Sequence, residues 1–156
     1  MGKVILLLVA CLSLAVCSPG SGVSVDGKNS CRQKIVFSPS RLTLFAEKAD
    51  TDAKRQRGLM GRRYLGDHEG MIFYFDHTDR HGFWMLNTLI PLAVLFISDE
   101  FVVVDVQYME PCSSPNPERC PVYRASRPSR MAIEINQEVA RRYQIGVGDR
   151  IRLEDD

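Results

Sequence analysis

Apolar and polar positions alternate in short runs broken by turn residues, the pattern of a strand-rich chain with two helical interruptions. Gln33 to Ser38 and Leu42 to Ala46 carry residues that suit a pleated surface, and Pro39-Ser40 between them predicts a hairpin. Asp50 or Thr51 can cap a short helix from Asp52 to about Met60, with Gly58 inside it. Gly70 leads into the apolar strand Met71 to Phe75, and the polar stretch Asp76 to His81 reads as a connection. Phe83 to Leu86 and Leu92 to Ile97 are nearly continuous apolar runs, expected of strands buried on both faces, with Asn87-Thr88 and Pro91 separating them. Phe101 to Tyr108 alternates as a strand with one wetter face, and a proline-rich loop from Glu110 to Pro121 follows. Met131 to Ile135 predicts a strand, Asn136 caps a helix from Gln137 to about Tyr143, and Gly148-Asp149 turns into a last strand, Arg150 to Leu153.

The first residues break this pattern. Lys3 precedes an apolar run from Val4 to Val16, well short of the roughly 20 residues a membrane-spanning helix needs, so a removed export signal is the better reading. Two cysteines offer lipoprotein-type processing sites. Cys17 in Leu14-Ala15-Val16-Cys17 has the usual position, and Cys11 in Leu8-Val9-Ala10-Cys11 has the better flanking chemistry but a poorer position. Cys17 is preferred as the lipidated residue, and ordinary secretion is the alternative. The expected organisation is a signal over 1–16, a flexible tether over 17–32 and one domain over 33–156.

Composition adds bounds rather than identity. The chain has 156 residues, enough for one core, and 20 basic against 19 acidic residues leave a net charge of +1. That balance suggests neither a nucleic-acid partner nor a polybasic membrane surface. The fold class is therefore α+β: a compact, mostly β domain with a mixed or barrel-like sheet and two short helices.

Cys112 and Cys120 flank the proline-rich loop, and outside the cytoplasm such a pair is expected to form a disulfide. Cys31 is left over. His77 and His81 with Asp76 and Asp79 are better explained as a solvated loop than as a metal site, and no cofactor is expected. Glu69, Asp76, Asp105 and Glu134 could in principle supply a carboxylate pair, but nothing in their spacing brings two together and exposed acids are the default. Trp84 reads as core. Asn87 and Thr88 interrupt the most apolar stretch; a self-bonded turn is the plain account, and a shallow pocket is the functional one. In that pocket Asn87, Thr88 and Tyr123 would donate and accept hydrogen bonds, and Arg57 or Arg62 would face an anionic or sugar-like ligand.

Arg57-Gly58-Leu59-Met60, Gly70-Met71-Ile72-Phe73, Phe83-Trp84-Met85-x-Asn87-Thr88-x-Ile90-Pro91-Leu92 and Cys120-Pro121-x-Tyr123 together resemble the bacterial and archaeal family catalogued as domain of unknown function 192. The match runs from about Leu42 to Leu153. The resemblance implies a small, mostly β domain with a couple of helices, commonly exported, and leaves the biochemical role open. Two positions depart from the family pattern: Leu86 stands where Lys is usual and Ala93 where Asp is usual. A function resting on that charged pair would not transfer, and apolar replacement of a buried pair can be neutral.

The expectation is an exported, envelope-associated module. Its partners would be the membrane, through a lipid on Cys17, and a small molecule or an envelope protein, bound without catalysis. The alternative is a hydrolase or modifying enzyme acting on an envelope glycan or peptide. A buried, perturbed carboxylate lining a cleft favours the enzyme; a pocket lacking one favours binding.

Overall fold

The computed structural model describes residues 32–112, 114 and 116–154. The leader, Cys11, Cys17, the tether up to residue 31 and Cys31 lie outside the described residues.

The predicted hairpin is β1 (Arg32–Ser38) and β2 (Thr43–Ala49), paired antiparallel with Ile35 opposite Leu44. Helix α1 (Asp52–Arg57) begins where the Thr51 hydroxyl accepts the Lys54 amide proton at 3.3 Å. It is shorter than expected because Gly58 ends it rather than sitting within it. Gly58 adopts φ +47°, where a side chain is strained, and its N–H caps the Lys54 carbonyl.

Strand β3 (Glu69–Asp79) runs parallel to β2 and antiparallel to β8 (Ser129–Asn136). The stretch Asp76 to His81 is thus not simply a polar connection: β3 continues to Asp79, and its register on β8 breaks between Tyr74 and Asp79, so the last residues leave the covered sheet and stay exposed. After the short strand β4 (Gly82–Trp84), β5 (Leu92–Ile97) lies between β6 (Val103–Met109) and β8, with all six of its residues buried. A 3₁₀ turn (Pro117–Arg119) precedes β7 (Val122–Arg124), which pairs with β4 in a separate two-stranded ribbon. Helix α2 (Gln137–Arg142) follows β8, its start capped by the Asn136 side chain, and β9 (Arg150–Glu154) returns beside β1.

The seven-stranded sheet has the order β6-β5-β8-β3-β2-β1-β9, and its two ends meet. Val102 bridges Arg150, and the Ile151 amide donates to the Phe101 carbonyl at 2.9 Å, which curls the sheet into a barrel-like ring. Strand alternation then divides the core. Ile35, Ile72, Ala93, Leu95, Ile133 and Ile135 point into one cluster, closed by Val139 and Ala140 of α2. The neighbouring residues Met71, Phe73, Val94, Phe96 and Ala132 point the other way, beneath Leu59, Leu65, Phe83, Met85 and Ala125. A strip of chain comprising α1, the following loop and the β4–β7 ribbon therefore covers the outer face of β3, β8 and β5.

Two sequence expectations fail in this cover. Phe83 to Leu86 is not a central strand, and Trp84 is 43% exposed because it lies on the outward side of the ribbon, opposite exposed Val122. The expected disulfide joins Cys112 and Cys120, with Cα atoms 5.7 Å apart. It fixes the segment entering β7 to the segment that bridges Leu86.

Candidate functional site

Among Met131 to Ile135, alternation aims Met131, Ile133 and Ile135 into the ring and leaves Ala132 and Glu134 on the outer face. Glu134 sits on a central strand, with Met71 of β3 and Val94 of β5 as its cross-strand neighbours. It is 4% exposed, not the solvated acid expected by default. Its Oε2 is buried with no hydrogen-bond partner among the described residues. Burial alone raises its pKa from 4.5 to about 8. Such a group is neutral through most of the physiological range and can either donate a hydrogen bond or release its proton.

This acid lines a pocket of about 310 Å³ between α1 and the β4–β7 ribbon, a volume at the small end of ligand sites. Phe73 and Phe75 of β3 and Phe83 and Trp84 of β4 supply its aromatic walls. Phe73 meets Phe83 edge to face at 4.9 Å, and Phe83 meets Phe96 at 5.7 Å, so the rings are set by packing. Gly58 forms part of the wall; a Cβ there would stand 3.7 Å from Glu134 Oε2, so the end of α1 closes over the acid. Arg55 and Arg57 are the charged residues at the margin. Arg55 is committed elsewhere: it donates to the Tyr74 carbonyl at 2.6 Å and pairs with Asp52 at 2.6 Å and Asp76 at 3.3 Å.

Of the five residues expected to bind a ligand, Arg57 and Thr88 line this pocket. Thr88 is buried, and its backbone N–H donates to the Met85 carbonyl in a turn. Asn87 is exposed at φ +55° on that turn, and its carbonyl accepts the Gly61 amide. Arg62 is held by Glu47 at 2.6 Å, and the Tyr123 hydroxyl accepts the Glu110 amide at 3.2 Å; neither lines the pocket. Glu69 pairs with Arg32, Asp76 with Arg55, and Asp105 accepts from Gln107 and Ser126, so no carboxylate pair forms with Glu134.

The His81 ring stacks on Phe75 at 3.5 Å, and its Nε2 lies 3.1 Å from the His77 carbonyl. Burial holds its pKa below the usual range. No three His, Cys, Asp or Glu side chains converge as metal ligands among the described residues. Ala93 is fully buried inside the ring, and Leu86 is half-buried beside Cys112. A second pocket of about 410 Å³, between the ends of β1 and β9, carries Arg41, Arg150 and Arg152 but no buried polar group.

Comparison with known proteins agrees with this architecture. A crystal structure of a protein of unknown function from Novosphingobium aromaticivorans DSM 12444 superposes with a TM-score of 0.70 at 31% identity, covering 87% of this chain and 94% of that one. A crystal structure described as a candidate transcription regulator from Sinorhizobium meliloti 1021 also gives 0.70, at 26% identity, covering 80% of this chain and 95% of that one. No curated protein matches. The model of the family DUF192, described as an uncharacterized ACR, matches residues 35–153, which is nearly the whole of the folded domain, and the chain belongs to that family.

Proposed function

We propose that the domain is a small-ligand binding module whose site is the pocket over Glu134. The observation that carries this reading is the Glu134 Oε2 atom, buried without a partner among the described residues in the wall of a pocket that also carries four aromatic residues. An unpaired buried polar atom costs about 1–3 kcal/mol, and a ligand group that pairs with it recovers that cost on binding. Export and lipidation at Cys17 complete the proposal. They are supported by the apolar run before Cys17 and by the Cys112–Cys120 disulfide, which belongs to an oxidising compartment.

Glu134 also favours a second reading, because an acid with a pKa near 8 suits general acid–base catalysis on an envelope glycan or peptide. The residues lining the pocket include no second carboxylate, histidine, serine or cysteine to share such chemistry, so binding is preferred. The regulator description of the Sinorhizobium structure is not extended to this chain, whose net charge of +1 offers no nucleic-acid footprint.

A fragment screen by amide NMR on the uniformly labelled chain tests the site. Fragments are expected to shift the resonances of Gly58, Thr88 and Glu134 together. Shifts clustering instead at Arg41 and Arg150 would move the binding site to the second pocket and overturn the reading. Mass spectrometry of the chain from its native membrane fraction tests the anchor: an acylated Cys17 terminus is expected, and an unacylated one overturns it.

A further inference from the structure

Resting on the pocket reading above, we infer that the ligand is an organic cation with an apolar body, an alkyl- or arylammonium, whose charged head pairs with Glu134 while its body lies against Phe75, Phe83 and Trp84. Four features of the pocket point to this class.

The deep polar group is an acid, so its complement is a donor or a positive charge rather than another anion. The walls carry four aromatic rings, and a ring face attracts a cation, most strongly for tryptophan. Trp84, the chain's single tryptophan, is 43% exposed on the outward side of the ribbon and borders the pocket, where the outer end of an apolar body would reach it. The margin offers little to an anion: Arg55 is already bound by Asp52, Asp76 and the Tyr74 carbonyl, which leaves Arg57 at the exposed rim.

The pocket is shared by Arg55 and Arg57 from α1, Phe73 and Phe75 from β3, Phe83 and Trp84 from β4 and buried Thr88 from the turn after it, while Met71 and Val94 sit beside Glu134 on the neighbouring strands. His81 lies behind Phe75, stacked on it. Glu134 Oε2 has no hydrogen-bond partner among the described residues, so the position assigned to the ligand's head is not taken by either arginine.

Binding a cation to this acid requires the proton to leave. Below a pKa of about 8, each ligand bound displaces one proton from Glu134 to solvent, and affinity rises about tenfold per pH unit. A neutral or anionic ligand that accepts the Glu134 proton shows the opposite trend, losing affinity above about pH 8.

The test titrates the full-length chain with three probes of one shape, 2-phenylethylammonium, 2-phenylethanol and 3-phenylpropionate, reading the fluorescence of Trp84 at pH 6, 7 and 8. The ammonium is expected to bind at least tenfold more tightly than the alcohol at pH 8, with affinity falling about tenfold at each lower pH unit. Glu134→Gln is expected to abolish both the preference and the pH trend. If that variant does not fold, the pH trend of the wild-type chain carries the same information. Equal or tighter binding of the alcohol or the carboxylate overturns the cation assignment and leaves the pocket reading standing. Unchanged Trp84 emission with all three probes at millimolar concentration overturns both.

Discussion

Replacing Glu134 by glutamine is expected to remove a pH dependence of stability that the wild-type chain carries. The acid titrates at 4.5 as a model group and at about 8 when folded. Its folded pKa is raised, so the associated stability is fully present below pH 4.5 and is lost as pH rises towards 8. Between those limits the folded chain holds a proton that the unfolded chain has released. At about 1.4 kcal/mol per pH unit, the loss is about 3 kcal/mol at pH 7 and about 5 kcal/mol once pH passes the folded pKa. Glutamine keeps the shape and the polarity of the protonated acid but does not titrate. The two proteins should therefore be similarly stable near pH 4.5, with the variant about 3 kcal/mol more stable at pH 7. Asp50, Asp105 and Glu154, whose pKa values are lowered, make stability fall in acid, but they do so in both proteins and cancel in the difference. Urea unfolding followed by Trp84 fluorescence at pH 5, 6, 7 and 8 measures the gap. A gap that stays constant over that range, or narrows with rising pH, would refute the reasoning.

Three further outcomes follow from other parts of the fold. Serine at both Cys112 and Cys120 should cost about 2–3 kcal/mol, because the crosslink closes a loop with a sequence separation of 8; unchanged denaturant midpoints would contradict this. Gly58→Ala should cost about 1–3 kcal/mol through backbone strain at φ +47° rather than through collision, since the new Cβ meets nothing nearer than 3.7 Å; calorimetry showing no loss would remove the strain argument. Ala93→Asp should cost about 3 kcal/mol or more, because the position is fully buried among apolar residues inside the ring; a variant that unfolds at the wild-type urea concentration would show that the site tolerates a charge.

Most strands of the seven-stranded sheet and both helices were legible because periodicity reports which faces are buried, and the disulfide was legible because two cysteines bracket one loop; β7 and the far end of β3 were not. The cover over the outer face was not. Phe83-Trp84-Met85-Leu86 has the composition of a central strand, yet its first three residues alternate between inside and outside on a ribbon, and only tertiary packing decides that. Glu134 was visible as a residue and misread as an environment. Its signal was an acid flanked by Ile133 and Ile135 in a run apolar on both faces, where a solvated carboxylate has nowhere to go. The pocket itself depends on Gly58 ending α1 above that acid, a contact between positions 76 residues apart that no local pattern contains.

The meeting of β1 with β9 sets an order of assembly. Lys34 is in register with Glu154, 120 residues later, so the ring lacks its last stave until the end of the chain has been made. At synthesis rates of about 5–20 residues per second, that interval is roughly ten seconds. Throughout it, a leader ahead of β1 of the kind proposed here would already be accessible, while the domain behind it could not yet close. Pairing the first strand with the last therefore makes ring closure the last event of synthesis, whichever strands have already found their neighbours.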